Sequence, residues 1–456
     1  MYNKLALAIS LALSGQAAFA AGNTLFDDVA PNTAANVPIP VGSPLEATNP
    51  LILPSATWTQ TTIAERDANG VAGHFWDMID TNRTGVDANR YLFMPFEPSN
   101  SDIVAMGECG GGTSNCASGA LRIDTWTGET TTIVAIGTEN WQRGDASRWA
   151  PWGGWITGEE NWSPGSTATT PTGRLFEVTN PVTTDGSDVD FVQRNNVIPR
   201  VSHEGLAFDA DSAFYFVDEN SSGSIYKFVS ANPLADNGDD YFNAGTTYAL
   251  KMSGIGDAFD WVALDPFNLD GRGAADAVGA DGFNRPEDLE IKTLGDGSQL
   301  LFFAATGTHD VWTINLGTNE VYQFVSQATI DLATGLAVGS AFRSPDNLAI
   351  DADGNIYIIE DQETPNADIW LTIDENNDGI AEGIQRWAGM QVTGAEPTGL
   401  FFDLANPNVA YVNIQHPDSL NDRTVRIEAS PVPVPAAVWL FGSALAGFAG
   451  IRRRKA

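Results

Sequence analysis

The sequence predicts an all-β fold, and within that class a six-bladed β-propeller. Glycine is frequent, with 45 in 456 residues, and 10% of the residues are aromatic, which suits many short strands joined by tight turns. Long helical periodicity is scarce between residues 23 and 428. One pattern recurs, as in residues 203–219 and 344–361: acids, an apolar strand, an Asp-rich turn, and a second strand ending in acids. Repeated around a ring, such hairpins collect carboxylates in one place.

Four segments are expected along the chain. An N-terminal signal peptide covers residues 1–20, because a basic Lys4 precedes an apolar stretch and residues 18–20 form an Ala-x-Ala cleavage site. An irregular arm follows at 21–61 and the propeller at 62–428. A hydrophobic sorting or anchor helix covers 429–456.

Six strand pairs are expected within the propeller region. They recur roughly every 50 to 60 residues, with a longer interval where an insertion at 232–283 interrupts the pattern. A β-helix or a β-sandwich is the alternative, but neither explains acids at both ends of the repeated phrase. The predicted pairs are 90–124, 154–178, 203–228, 285–314, 344–371 and 396–415.

The C-terminal segment has a composition of its own. Pro431 and Pro433 precede an apolar run of about 16 residues, marginal for a membrane span, and the chain closes on Arg452–Arg454 and Lys455. This segment resembles the PEP-CTERM sorting signal, although Val434 stands where that signal usually has Glu. The resemblance implies membrane engagement, an exosortase partner, and export to the periplasm, cell surface or medium of a Gram-negative bacterium. A simple membrane anchor is the alternative.

The formal net charge is −35, and removal of both ends leaves it near −40 because they hold five basic residues and no acids. A nucleic-acid partner is disfavoured, since phosphate backbones bind basic surfaces. Bound cations are favoured, because crowded carboxylates repel one another unless something neutralises them. An acidic surface that serves only to keep the protein soluble is compatible with the same charge.

Cysteine and histidine are rare. Cys109 and Cys116 lie in a Gly-rich stretch, and in an exported protein a small-loop disulfide is favoured over free thiols. Only four histidines occur, which argues against a His-rich zinc centre.

Acids at the predicted blade starts are the candidate metal ligands. Equivalent positions in successive blades face one end of the channel, so these side chains are expected to converge around a hard cation. Arginines precede several of the acids, and a guanidinium suits an anionic substrate or, alternatively, a salt bridge. The blade-start acids are Glu204, Glu287, Asp346 and Glu396; Glu159 and Glu160 lie one hairpin along, and the arginines are Arg200, Arg285 and Arg343.

A separate loop has calcium-binding spacing. Asp374, Asn376 and Asp378 precede a glycine, but Gln385 occupies the twelfth position, where an EF-hand has Glu. A calcium-stabilised turn and a metal-free Asx-turn are both open. The sequence lacks a Gly-x-Ser-x-Gly elbow and a phosphate-binding loop, which weakens serine hydrolase and nucleotide-binding interpretations.

Taken in order, five motifs resemble the PhoX-type alkaline phosphatases. The resemblance implies a six-bladed propeller, a mixed iron and calcium cluster in the channel, and hydrolysis of phosphate monoesters. It implies that Glu204 and Glu287 are catalytic metal ligands, that Glu159, Asp346 and Glu396 hold calcium, and that Arg285 contacts the phosphoryl group. The motifs are 158–161 (GEEN), 202–205 (SHEG), 283–287 (FNRPE), 344–347 (SPDN) and 412–417 (VNIQHP).

One position departs from that family. Members with the iron pair have Cys immediately before the first Glu, and here that position is Gly158. The sequence therefore predicts a calcium-containing phosphatase in which the iron is in question. The alternatives are a non-catalytic calcium-stabilised propeller of the cell surface or matrix, and a calcium-dependent esterase or lactonase.

Overall fold

The computed structural model describes residues 24–69, 73–97, 118–162, 172–256, 258–361 and 367–430. Within these ranges the strands form six sheets, and each predicted strand pair lies in a different sheet. The all-β propeller class predicted from the sequence is confirmed. The signal peptide, Cys109, Cys116 and the segment from residue 431 onward lie outside the described residues, so those predictions stay predictions. No helix in the described ranges is long and apolar enough to cross a membrane.

The first three sheets follow one another along the chain. Sheet 1 contains His74–Trp76, Asp80–Thr81, Tyr91–Glu97, Gly119–Asp124 and Thr130–Val134. Sheet 2 contains Arg148–Trp149, Trp155–Gly158, Leu175–Val178 and Phe191–Gln193. Sheet 3 contains Leu206–Phe208, Phe214–Val217, Ile225–Ser230, Gly245–Met252 and Phe259–Ala263.

The remaining sheets complete the order. Sheet 4 contains Pro286–Thr293, Gln299–Ala305, Asp310–Asn315 and Glu320–Val325. Sheet 5 contains Pro345–Ile350, Ile356–Glu360, Asp368–Ile373 and Gly383–Met390, with the short strands Leu51–Ile52, Ile330–Asp331 and Leu336–Ala337 at its outer side. Sheet 6 contains Glu396–Phe402, Val409–Gln415, Arg423–Glu428 and Thr59–Glu65.

The helices of the described ranges are short and lie in connections. The α-helices are Leu45–Thr48, Arg66–Asn69, Gly238–Tyr241 and Gly271–Val278, and the 3₁₀ turns are Thr138–Asn140, Thr306–Thr308 and Gly339–Ala341. Two of the helices lie in the predicted insertion. Asp270 caps the longest one by accepting a hydrogen bond from the Gly273 backbone N–H.

The hydrophobic core lies between the sheets. Six clusters of buried side chains are found, and each joins two neighbouring sheets: 1 with 2, 2 with 3, 3 with 4, 4 with 5, 5 with 6, and 6 with 1. Because the last sheet packs against the first, the six sheets close into a ring. Large aromatic side chains pack among the aliphatic ones in these layers, and Trp76, Trp141, Trp155 and Trp387 are fully buried.

The N-terminal arm closes the ring. Strand Thr59–Glu65 pairs with Arg423–Glu428, so the two ends of the propeller region share sheet 6. The predicted arm at 21–61 is therefore not wholly irregular, because it contains a short helix, a strand and the start of this closing strand. Phe26 anchors the arm by packing against Trp58 and Trp387.

Buried polar side chains fix neighbouring sheets in register. Asp288 Oδ2 in sheet 4 accepts a hydrogen bond from the Leu348 backbone N–H in sheet 5, at 3.0 Å. Asn347 Oδ1 in sheet 5 accepts one from the Gly399 N–H in sheet 6, at 2.7 Å. These bonds involve the innermost strands, which also carry the predicted site residues.

Candidate metal centre

Three of the predicted acids meet in the channel. Glu204, Glu287 and Asp346 come from sheets 3, 4 and 5, and each offers one carboxylate oxygen within 4.8 Å of the other two. Each acid precedes or opens the innermost strand of its sheet. Convergence of residues more than 140 positions apart follows from the ring, as the repeated phrase predicted.

The triad belongs to a larger group of carboxylates, here named the acid cluster. Its members act electrostatically on one another, and all six sheets contribute. Predicted Glu160 and Glu396 are among them. The acid cluster consists of Asp77, Glu97, Asp145, Glu160, Glu204, Glu219, Glu287, Asp346, Asp361 and Glu396.

A backbone feature recurs before these acids. In five of the six sheets, the residue two positions before the first acid has a left-handed φ. Residues other than glycine rarely adopt this backbone conformation. Because the same turn precedes a cluster acid in five sheets, it is part of how the fold positions these acids. The residues are Phe75 (51°), Arg143 (46°), Arg285 (53°), Ser344 (46°) and Gly394 (77°), before Asp77, Asp145, Glu287, Asp346 and Glu396.

Burial makes the ionised state of the cluster costly. Burial is the main cause that raises the pKa of Glu287 to about 7 and that of Glu396 to about 8. The pKa values of Glu204 and Asp346 lie well above the usual range, first because of burial and then because of neighbouring carboxylates. A protein without bound cations must hold protons here, and a cation would relieve the repulsion.

Two arginines lie at the mouth of the cluster. Arg285 Nε is 2.6 Å from Glu219 Oε1, and its Nη2 is 3.1 Å from Glu287 Oε1 and 3.5 Å from Asp361 Oδ2. Arg143 Nη1 is 3.9 Å from Glu160 Oε1. The two side chains are 43% and 45% exposed, so both guanidiniums are accessible to an anion entering from solvent.

His416 lies beside Glu396 at the same end. Its Nε2 is 2.8 Å from Glu396 Oε1, and its Nδ1 is 2.8 Å from the Gly394 carbonyl oxygen. Burial lowers the pKa of His416, but the hydrogen bond and the charge of Glu396 outweigh burial and raise it to about 9. The imidazole ring and the Glu396 carboxylate therefore favour each other's charged forms.

Glu159 lies outside the acid cluster, contrary to the expectation that it holds a metal. Its carboxylate is fully buried and paired with Arg174, with Nε at 3.0 Å and Nη2 at 2.5 Å. The backbone N–H groups of Gln142 and Arg174 also donate to it. Its oxygens are therefore satisfied within sheet 2, and the next residue, Glu160, faces the cluster instead.

Two further predicted residues also lie elsewhere. The charged groups that act on Arg200 are Arg174 and Glu159, and none of its ion pairs in the described ranges reaches the acid cluster. The Arg343 charge acts on Asp368, and no ion pair within the described residues joins Arg343 to the acid cluster. Arg285 is thus the predicted arginine that the structure brings to the acids.

The 374–379 loop forms an Asx-type turn between two strands of sheet 5. Asp374 accepts hydrogen bonds from the N–H groups of Asp378 and Gly379, and Asn376 accepts another from Asp378. Strands flank the loop, in place of the two helices of an EF-hand. Both alternatives left open by the sequence contain such a turn, so calcium binding at this loop stays a prediction.

The donor set fits a hard cation. Glu204 Oε2 and Asp145 Oδ1 are buried, and no hydrogen-bond donor reaches either atom within the described residues. Calcium takes several oxygen ligands in flexible geometry, which these carboxylates can supply. A thiolate at position 158 does not fit, because a Cβ on Gly158 would lie 2.4 Å from His203 Cβ.

Several site residues were not singled out from the sequence. Arg143 and Asp145 have the same Arg-x-acid spacing as Arg285 and Glu287, and that spacing was the available signal. Asp77 lies in a tight turn before the first predicted strand pair, where no repeated phrase marks it. Glu97 ends its strand but is a single acid, whereas Glu219 and Asp361 belong to the paired acids after a strand that the sequence pattern did mark as able to complete the metal shell.

Comparison with known proteins places this geometry in a family. The family model described as alkaline phosphatase PhoX matches residues 100–418. The chain belongs to the PhoX family. The resemblance inferred from the five motifs is therefore confirmed at the level of the family.

Among the structural comparisons, the match with a TM-score above 0.5 supports the fold. The PhoX of Pseudomonas fluorescens, solved in complex with vanadate, a transition state analogue, has a TM-score of 0.58 at 16% identity, covering 86% of this chain and 98% of that one. Virginiamycin B lyase from Staphylococcus aureus has a TM-score of 0.42 at 11% identity, covering 82% and 99%. Regucalcin, a calcium-binding protein from Agrobacterium tumefaciens, has 0.42 at 10%, covering 82% and 96%. No curated protein sequence matches the chain.

Proposed function

We propose that this PhoX-family protein is an exported phosphatase that hydrolyses phosphate monoesters at a calcium-containing site in the acid cluster. The observation that carries the proposal is the Glu204, Glu287 and Asp346 triad beneath the Arg285 guanidinium. Carboxylates alone repel a phosphate ester. Carboxylates that hold cations next to an accessible arginine attract one.

The chain's own residues have distinct tasks in this proposal. Arg285 and Arg143 bind the phosphoryl oxygens at the mouth, since a planar guanidinium matches them with two parallel N–H donors. Glu219 and Asp361 hold Arg285 in place through its Nε and Nη2. The triad holds the metal, and a bound cation supplies charge stabilisation for the developing negative charge on the phosphoryl oxygens.

Calcium is proposed as the resident metal because the donors are oxygens. The PhoX of Pseudomonas fluorescens was solved in complex with vanadate, a transition state analogue, and its shared fold supports the proposal of phosphoryl transfer for this chain. We further propose that a signal peptide exports the protein, that an exosortase is its partner and that the C-terminal segment engages the membrane, so that the site would meet calcium outside the cytoplasm.

A second candidate function is favoured by one observation. The close approach of Gly158 to His203 excludes the thiolate that iron-containing members have at this position. The chain would then be a non-catalytic calcium-stabilised propeller of the cell surface. The calcium-dependent esterase or lactonase has no observation of its own in its favour.

The deciding experiment pairs elemental analysis with turnover of p-nitrophenyl phosphate by the purified mature protein. We expect bound calcium and measurable turnover, with kcat/KM reduced about a hundredfold in Arg285→Ala, the range found when one transition-state donor is removed. Glu287→Gln should lose both metal and turnover. Arg426→Ala, which removes a surface pair with Glu428, is the matched control and should behave as wild type. Bound calcium without any turnover would establish the non-catalytic candidate.

A further inference from the structure

Phe75 holds in sheet 1 the position that Arg143 and Arg285 hold in sheets 2 and 4. It has a left-handed φ of 51° and lies two residues before the first cluster acid of its sheet, as the two arginines do. Sheets 5 and 6 have Ser344 and Gly394 at this position. Because equivalent positions in a closed ring face the same end, Phe75 lies at the mouth of the acid cluster, as a large apolar residue among charged and small ones.

A β-bulge sets Phe75 apart from the regular pairing of its strand. His74 lies opposite the cluster acid Glu97. Trp76 lies opposite the residue before that acid, so Phe75 is the extra residue between two paired ones. Bulges are frequent next to active sites, where they redirect a side chain. A left-handed φ is an outlier for a bulky residue, so the fold holds Phe75 in a costly backbone conformation at the site.

The Phe75 ring lies outside the hydrophobic core. It is partly exposed, and it belongs to none of the six apolar clusters found in the described ranges. Its ring centroid lies 5.7 Å from that of His416, whose side chain is 26% exposed. An apolar ring left open at a charged mouth gains free energy when a ligand covers it.

Phe75 and His416 form a wall of the mouth on the side away from the metal-binding triad. The triad and Arg285 belong to sheets 3, 4 and 5. Sheet 1 lies opposite sheet 4 in a closed ring of six, and His416 follows a strand of sheet 6. A phosphoryl group held by the triad's metal and Arg285 therefore leaves this wall for the alcohol part of the ester.

The wall is also close to the acids. His416 Nε2 is 2.8 Å from Glu396 Oε1, so a single imidazole ring separates Phe75 from the acid cluster. A ring attached directly to the ester oxygen of a bound phosphate has this reach. A ring that a sugar or an alkyl chain holds farther from the phosphorus extends beyond it.

We propose that Phe75 is a specificity-determining residue that stacks against the aromatic ring of an aryl phosphate, with His416 as the adjoining wall. The inference rests on the proposed function and narrows its substrate class from phosphate monoesters to aryl phosphates. Aromatic rings pair in offset or edge-to-face arrangements, which contribute more than the apolar area that they bury. An aliphatic alcohol gains no such contact from Phe75.

Steady-state kinetics with p-nitrophenyl phosphate and glycerol 2-phosphate test the inference. In Phe75→Ala, kcat/KM for the aryl ester should fall about tenfold, as the loss of one aromatic pair predicts. The kcat/KM for glycerol 2-phosphate should not change. Phe75→Tyr keeps the ring and should keep the preference, whereas Phe75→Leu keeps apolar bulk without a ring and should lose most of it.

Trp126→Ala is the matched control. It removes an aromatic side chain that is 69% exposed, in the turn after Gly119–Asp124 at the opposite end of sheet 1, and it should behave as wild type with both substrates. An equal loss with the two substrates in Phe75→Ala would show that Phe75 only supports the fold of the site. That result, or unchanged kinetics with both substrates, would overturn the inference.

Binding of two non-hydrolysable phosphonates separates this inference from the proposed function. Calorimetry of the calcium-loaded protein should show that wild type binds phenylphosphonate about tenfold more tightly than methylphosphonate, and that Phe75→Ala binds the two equally. This pattern in a protein without turnover would refute the phosphatase and retain the aryl site. Turnover with equal affinity for both phosphonates in wild type would retain the phosphatase and overturn the aryl site. A protein that neither turns over substrate nor binds either phosphonate would refute both.

Discussion

Arg143 and Arg285 hold matching positions in sheets 2 and 4. Each has a left-handed φ, each lies two residues before a cluster acid, and each guanidinium is nearly half exposed at the mouth. Both also act electrostatically on Glu219. The ring thus presents two equivalent arginines to one opening, and a phosphoryl group has several oxygens for them to contact.

Arg143→Ala should therefore raise KM for p-nitrophenyl phosphate and lower kcat/KM roughly tenfold, because one charge-assisted contact is lost. The effect should be smaller than that of Arg285→Ala, since the Arg143 guanidinium is held less tightly, 3.9 Å from its nearest carboxylate partner. Steady-state kinetics measure both changes. Arg143→Lys should recover part of the loss, and unchanged kinetics in Arg143→Ala would show that Arg285 alone meets the substrate.

The site could be predicted from the sequence only where the repeated phrase marks it. Glu204, Glu287, Asp346 and Glu396 each begin such a phrase, so their convergence follows from the ring. Asp77 has no such mark, because its turn precedes a strand of two residues. Its place in the site depends on the packing of sheet 1 against sheet 6, and single-sequence patterns carry no information about that contact.

At the level of the strand, the sequence could not show which of Glu159 and Glu160 faces the channel. Neighbouring residues of an extended chain point to opposite sides, so one of the pair faces the channel and the other does not. Alternation of apolar and polar residues would normally identify the sides. Strand Trp155–Gly158 is buried on both faces, so it shows no alternation from which to choose.

The two neighbours should respond oppositely to substitution. Glu159→Gln leaves the buried Arg174 without its counter-ion and should lower the free energy of unfolding by about 3 kcal/mol, as for other broken buried pairs. The calcium affinity of the folded Glu159→Gln variant should not change. Glu160→Gln removes one of the repelling carboxylates, so it should stabilise the metal-free protein and weaken calcium binding.

Urea denaturation of the metal-free protein and a calcium titration of each folded variant separate these effects. If Glu159→Gln loses calcium while its unfolding curve matches wild type, Glu159 is a ligand and the ion pair with Arg174 is secondary. Glu428→Gln, in a surface pair with Arg426, is the control and should change neither measurement appreciably.

At the scale of the whole molecule, the ring buries a group of carboxylates at its centre, and their burial lowers the folding stability. Six interfaces of buried apolar side chains hold the sheets in place, and the acid cluster is formed where their inner strands meet. The sequence predicted this architecture well, because each repeat of the hairpin phrase corresponds to one sheet of the ring. The protonation state of the centre depends on burial, which emerges only from the assembled fold.

The pH dependence of stability tests that centre directly. In the metal-free protein, burial raises the pKa of Asp77 to about 6, those of Glu97 and Glu287 to about 7, and that of Glu396 to about 8. Unfolded carboxyl groups titrate near 4, so the folded state binds more protons than the unfolded state between about pH 4 and pH 8. Stability should be greatest at the acidic end of this window and fall as pH rises through the folded pKa values.

Calcium should reverse that loss, because a cation bound to the ionised cluster replaces the protons. At a concentration about 100 times its dissociation constant, one site adds about 2.7 kcal/mol to the free energy of unfolding. Thermal melts at pH 5 and pH 8, each with chelator and with calcium, measure the effect. We expect the melting temperature to fall from pH 5 to pH 8 with chelator, and calcium to raise it more at pH 8 than at pH 5. Magnesium at equal ionic strength is the control, because its small octahedral shell suits a wide carboxylate cluster poorly. A chelated protein that gains stability towards pH 8 would show that these carboxyl groups are ionised without a metal.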